Sequence, residues 1–115
     1  MKASDALAQA REMRPGEYSD EMLLGMLREL EARIERETLR GRYTDYEDMP
    51  ECGELRAPAP YSAMYRWYLI AQIDLMNAEI DRYNNDLTMF DELYTQYQKY
   101  VVRTYAPALR RNYKL

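Results

Sequence analysis

The sequence predicts an all-α protein: a small helical bundle with one long C-terminal helix (about 61–104), a second helix (about 20–40), a short N-terminal helix and an extended basic C-terminal tail. Three observations lead there. Leu69, Ile73, Met76, Ile80, Tyr83, Leu87, Phe90, Tyr94, Tyr97 and Val101 lie alternately four and three residues apart, a heptad seam that keeps one helix face apolar. Leu23, Leu27, Leu30 and Ile34 repeat that spacing within a charged segment. The helix-breaking signals fall between such segments, at Pro15-Gly16, at the three prolines of residues 41–60, and at Pro107.

The first element is expected over residues 4–14, "SDALAQAREMR", with Ser4 as its N-cap. Pro15-Gly16 ends it, because proline breaks the hydrogen-bond ladder and glycine tolerates the turn. The second helix opens at Ser19 or Asp20, either of which can cap its free amides. Asp20 and Glu21 also suit the positive end of the helix dipole. Arg40 and Gly41 supply the stop near residue 40.

Residues 41–60 show no helical period. Asp45, Glu47, Asp48, Glu51 and Glu54 make this stretch acidic. A connection of about 20 residues is long against the usual 4 to 6 or so, which points to a solvated linker, a flap, or a piece that orders on a neighbour.

From Tyr61 the seam takes over and passes through Asn84-Asn85 without losing phase. A hairpin has no evident reason to preserve phase, so one helix of roughly 65 Å is expected at about 1.5 Å per residue, with a possible hinge at the asparagine pair. It should stop near Ala106-Pro107. Residues 103–115 then carry Arg103, Arg110, Arg111 and Lys114 with no acidic side chain, a basic arm shaped for an acidic partner surface.

The totals narrow the function. The chain has 115 residues, enough for one domain with a modest core. Sixteen Lys and Arg against 20 Asp and Glu give a net charge of −4, which argues against a dedicated nucleic-acid binder. There is no His and a single Cys, Cys52, so neither a disulfide framework nor a zinc cluster is expected, and a reducing compartment fits. No apolar run reaches membrane-spanning length and no secretory leader is expected at the N-terminus.

No catalytic constellation emerges, so the expectation is a non-enzyme without cofactor or metal. Asp74 and Asp81 would share one side of the long helix, but the di-metal carboxylate design also recruits histidines. Twelve Tyr stand beside one Phe. Tyr61, Tyr65 and Tyr68 cluster with Arg66 and Trp67, residue types enriched at interface hot spots, so Tyr61, Tyr65 and Trp67 are candidates for core or interface alike. Leu75, Met89, Leu93 and Tyr100 widen the apolar surface beyond the seam, and self-association would cover it.

Three stretches, "RPGEYSDEMLLGMLRELEARI" (14–34), "LRAPAPYSAMYRWYLIAQIDLMNAEIDRYNND" (55–86) and "MFDELYTQYQKYVVRTYAP" (89–107), together resemble the head–tail connector (adaptor, or head-completion) proteins of tailed bacteriophages. The most specific piece is Asn77-Ala78-Glu79 leading into Arg82-Tyr83-Asn84-Asn85, followed by Phe90 and Arg103. Ala78 stands where the family would have glycine, and Asp86 where serine is common.

The resemblance implies a structural protein of the virion neck, made in the bacterial host cytoplasm. It would form a homo-oligomeric ring, twelve-fold in the family's manner, beneath the portal protein. That ring extends the DNA channel without reading its sequence and presents a surface to the stopper or tail-completion protein. Residues 105–115 would form the C-terminal arm, with Arg103, Leu109, Arg110, Arg111, Tyr113, Lys114 and Leu115 binding the portal. Tyr61, Tyr65, Trp67, Asn84 and Asn85 would meet neighbouring subunits or partners, and the acidic loop would face the channel or the next neck protein. The rival reading is a stand-alone helical binding module that dimerises through the 69–101 seam.

Overall fold

The computed structural model describes residues 1–16, 18–38 and 53–104 with their side chains, and the backbone alone at residue 39 and over 105–112. Among the described residues the architecture is all-helical: α1 (Ala3–Met13), α2 (Asp20–Ile34), α3 (Ala63–Met76) and α4 (Ile80–Asn112). At about 1.5 Å per residue, the 33 residues of α4 account for nearly the whole 51 Å length of a molecule 51 × 29 × 21 Å in extent.

The long C-terminal helix is present, but it does not begin at residue 61. The chain stops at Met76, turns at Asn77, Ala78 and Glu79, and returns as α4. Tyr61 lies against Tyr97 and Tyr100, and Tyr68 against Phe90. Numbers rise on α3 as they fall on α4, so the two helices form an antiparallel hairpin.

The seam keeps phase across this break for a simple reason: three linking residues approximate one helical turn. Leu69, Ile73, Phe90, Tyr94, Tyr97 and Val101 are buried between the helices, whereas Met76 and Ile80, next to the turn, are exposed. Asn84 and Asn85 are exposed residues inside α4 and are no hinge between elements. On this exposed side of α4 they cost only helix propensity.

Other expected boundaries shift for local reasons. Ser4 lies inside the first turn of α1. The start of that helix is instead secured by Asp5, whose carboxylate accepts the Lys2 amide at 3.1 Å. The Ala3 amide donates to the Gly53 carbonyl and the Leu55 amide to the Met1 carbonyl, both at 2.9 Å, which makes an isolated antiparallel bridge between Lys2 and Glu54. Ala3, Ala6, Leu7 and Ala10 are buried, and the three alanines let α1 lie close on α3.

Ser19 caps α2, its Oγ accepting the Met22 amide at 3.1 Å. Leu23, Leu27, Leu30 and Ile34 point into the core as their spacing demands. Regular α-helix ends at Ile34 and passes into a π-helical stretch, Glu35–Leu39. A wider turn rotates the side chains beyond it, and here Thr38 meets α4, its hydroxyl donating to the Tyr94 hydroxyl at 3.2 Å.

Residues 40–52 lie outside the described chain. The described continuation, 53–62, orders on its own molecule, with Leu55 and Ala57 buried. Tyr65 receives the Ala57 amide at 2.9 Å and donates to Glu31 Oε1 at 2.5 Å, while the Arg56 amide donates to Glu31 Oε2 at 3.1 Å. At the other end, the α4 backbone continues beyond Ala106-Pro107 to Asn112, where an extended tail is expected. Pro107 deletes one ladder bond, and the alanine, leucine and arginines around it are strong helix formers.

Candidate functional site: the turn between the last two helices

Residues 73–79 hold a left-handed alanine, Ala78, beside a buried carboxylate, Asp74. The Asn77 amide closes α3 on the Ile73 carbonyl at 3.0 Å. The Ala78 amide then donates to the Leu75 carbonyl at 3.1 Å, and the Glu79 amide reaches back to the Asp74 carbonyl at 2.8 Å. Those two bonds define a Schellman motif, whose pivot takes the left-handed conformation and is usually glycine. Here the pivot is Ala78, with φ of 60°. Glu79 turns the chain into α4, its carbonyl accepting the Tyr83 amide at 2.9 Å.

The turn is anchored from within. Asp74 is 1 % exposed and Asp86, across the hairpin on α4, is 0 % exposed. Arg14, just past the end of α1, places Nε 3.0 and 3.1 Å from the two carboxylate oxygens of Asp74, and its Nη2 lies 3.8 Å from Asp86 Oδ1. Burial, followed by the facing Asp74 carboxyl, pushes the Asp86 carboxyl up to about 7. A second tie runs alongside, where the Tyr18 hydroxyl donates to Asn77 Oδ1. Arg11 braces the α1–α2 corner by donating to Asp20 Oδ1 from Nε at 3.0 Å and to the Tyr18 carbonyl at 2.6 Å.

Four helix ends therefore meet at one pole: the ends of α1 and α3 and the starts of α2 and α4. Leu75, Met76 and Ile80 turn outward here, 44, 43 and 53 % exposed, and Met22 in the first turn of α2 is similarly open. Exposed apolar side chains are thus grouped at this end of the molecule. The Arg14 guanidinium occupies the inner face of the carboxylate pair.

The residues expected to form sites are distributed differently. Tyr65 is fully buried and its hydroxyl is spent on Glu31 and Ala57, so it offers no surface to a partner. Tyr61 and Trp67 are half-buried against the core, Trp67 beneath the Arg66 guanidinium at 5.9 Å. Asn84, Asn85 and Arg103 are exposed along α4. Glu54 is exposed and pairs with the Met1 amino group at 3.3 Å. Asp45, Glu47, Asp48, Glu51, Cys52, Tyr113, Lys114 and Leu115 lie outside the described residues, as do the side chains of Leu109, Arg110 and Arg111.

Asp74 and Asp81 do not converge, because Asp81 faces solvent while Asp74 faces Arg14. Among the described residues no three His, Cys, Asp or Glu side chains gather as a metal-binding group, and no helix is long and apolar enough to cross a membrane. Compared with protein-family models, curated proteins and solved structures, the chain finds no match.

Proposed function

We propose that this chain is a head–tail connector of a tailed bacteriophage, one subunit of a ring below the portal that continues the DNA channel and receives the stopper or tail-completion protein. The observation that carries the reading is the turn at Ala78. The connector-like string Asn77-Ala78-Glu79 would have glycine at its centre, and this residue holds the left-handed φ of 60° that glycine adopts most readily. The backbone at this position is thus the one that glycine at the centre of such a string would serve.

The rest of the molecule is consistent with a subunit built for assembly. A ring needs heterologous contacts, one surface of a subunit meeting a different surface of the next. The pole of Leu75, Met76 and Ile80 and the basic C-terminal segment lie at opposite ends of α4. In this reading the protein performs no chemistry, its C-terminal arm grips the portal, DNA passes through without base-specific contact, and the mature location is the virion neck.

The dimerising module is the weaker alternative. Its seam is already the interior of the α3–α4 hairpin, with Leu69, Ile73, Phe90, Tyr94, Tyr97 and Val101 buried within one chain.

The test is co-expression of the tagged chain with the portal protein encoded beside it, followed by affinity capture, mass spectrometry and electron microscopy. Portal in the eluate with annular particles, both lost when residues 108–115 are removed, is the expected result. Self-dimers alone in the presence of assembled portal would overturn the proposal.

A further inference from the structure

The pair Asp74–Asp86 presents a problem in hydrogen bonding before any question of pH arises. Both oxygens of Asp86 are buried, and no donor of good geometry reaches either one. What faces them from α3 is the Asp74 carboxyl, within hydrogen-bonding range, and carboxylates only accept. Arg14 approaches from the end of α1 and is committed to Asp74 at 3.0 Å, standing off at 3.8 Å from Asp86. Along α4 the side-chain amide group of Asn85 also approaches Asp86, while Glu79 and Asp81 nearby are exposed. One guanidinium thus faces two buried carboxyl groups. Left fully ionised, the cluster holds a net negative charge out of water, which is costly.

A single proton resolves both deficits, supplying the missing donor between two acceptors and cancelling the excess charge. We propose that Asp74 and Asp86 share one proton, and that this proton is a pH-sensitive latch on the α3–α4 turn, released as the medium passes from acid to neutral. The latch acts on the backbone directly. The carbonyl of Asp74 accepts the Glu79 amide that closes the left-handed turn at Ala78, and the next residues, Leu75 and Met76, belong to the exposed apolar pole. Ionisation sets Asp74 and Asp86 against each other across the hairpin and loosens the turn that presents this pole. The inference goes beyond the connector reading and holds or fails on the isolated chain.

The direction comes from linkage. Asp86 binds its proton more tightly when folded than when the turn is open, so the closed turn is favoured in acid and loses ground as pH rises toward about 7. The chain contains no histidine, the side chain that ordinarily titrates in this interval, so no imidazole titrates alongside the pair.

The experiment is a carbon-13 titration of the aspartate carboxyls in the full chain, joined to amide exchange at residues 75–82. One Asp carboxyl is expected to titrate near neutrality. Protection of residues 75–82, corrected for intrinsic exchange, should fall by up to about tenfold per pH unit between about pH 4 and 7, while residues 92–101 hold theirs. In Asp86→Asn, whose amide donates without titrating, that dependence should vanish. Asp74→Asn tests the other half of the pair should the first variant fold poorly. The proposal is overturned if every Asp carboxyl of the wild type titrates below about pH 5, or if a folded Asp86→Asn keeps the wild-type slope.

Discussion

The hydroxyl of Tyr65 donates to Glu31 Oε1 at 2.5 Å inside the core, and the phenol oxygen in turn accepts the Ala57 amide at 2.9 Å. A helix of the hairpin, a charged residue of α2 and the backbone of the connecting segment are fastened at one atom. Burial raises the Glu31 carboxyl above its usual range, against the lowering effects of Tyr65 and Arg56. For Tyr65 burial acts in the same upward direction, reinforced by the Glu31 charge, so its phenol stays protonated and remains a donor.

Tyr65→Phe should therefore cost more than the loss of one ordinary hydrogen bond. It removes a donor from a buried carboxylate and an acceptor from a buried amide, each deficit worth about 1–3 kcal/mol. The urea midpoint should fall accordingly, with the unfolding slope unchanged. A loss below about 0.5 kcal/mol would mean that water replaces the phenol.

Ala78→Gly should stabilise the protein by about 1 kcal/mol, since an L-residue pays roughly that in the left-handed region and glycine does not. Ala78→Val should destabilise it, because a β-branched side chain tolerates positive φ still less. Chemical denaturation of the three proteins checks the order Gly, Ala, Val, and an inverted order would refute the strain assigned to this turn.

Arg14→Met strips the Asp74–Asp86 pair of its cation. Removing one partner of a buried ion pair costs about 3–5 kcal/mol, and this loss should be greatest above neutrality. Asp86 has a raised folded pKa of about 7, so its contribution is present in acid and lost as pH rises through that value. Protonation should correspondingly shelter the variant at about pH 5. Equal destabilisation in acid and in mild alkali would count against the charge account of Arg14.

The exposed pole can be tested without disturbing the core. Met76→Glu combined with Ile80→Lys should leave stability within about 0.5 kcal/mol, as expected for surface changes, yet abolish the ring assembly that the proposed connector function requires. Thermal unfolding supplies the first reading and electron microscopy the second. Rings that form normally would place the subunit contact elsewhere.

How much of this was legible beforehand varies by element. The α2 face of Leu23, Leu27, Leu30 and Ile34 was, because helical spacing translates directly into burial. The break after Met76 was not, since a three-residue link nearly equals a turn and leaves the apolar phase intact. That one concealment also misdirected the carboxylates: along a single helix Asp74 pairs with Asp81, whereas the reversal sets it against Asp86. Arg14 could not be found by spacing, its partners lying 60 positions or more away. The one available signal was Ala78 in a string that would otherwise carry glycine, and it pointed to the turn itself.

The position of Trp67 has an optical consequence. It is the only tryptophan in the sequence and sits half-buried on α3, in a hairpin that also packs Tyr61, Tyr68, Tyr94, Tyr97 and Tyr100. In the closed hairpin, light absorbed by these phenols can pass to a single indole and leave as tryptophan emission. Separation of α3 from α4 would return the light absorbed by Tyr94, Tyr97 and Tyr100 on α4 to tyrosine emission, so the ratio of the two emission bands reports hairpin closure in the unlabelled protein.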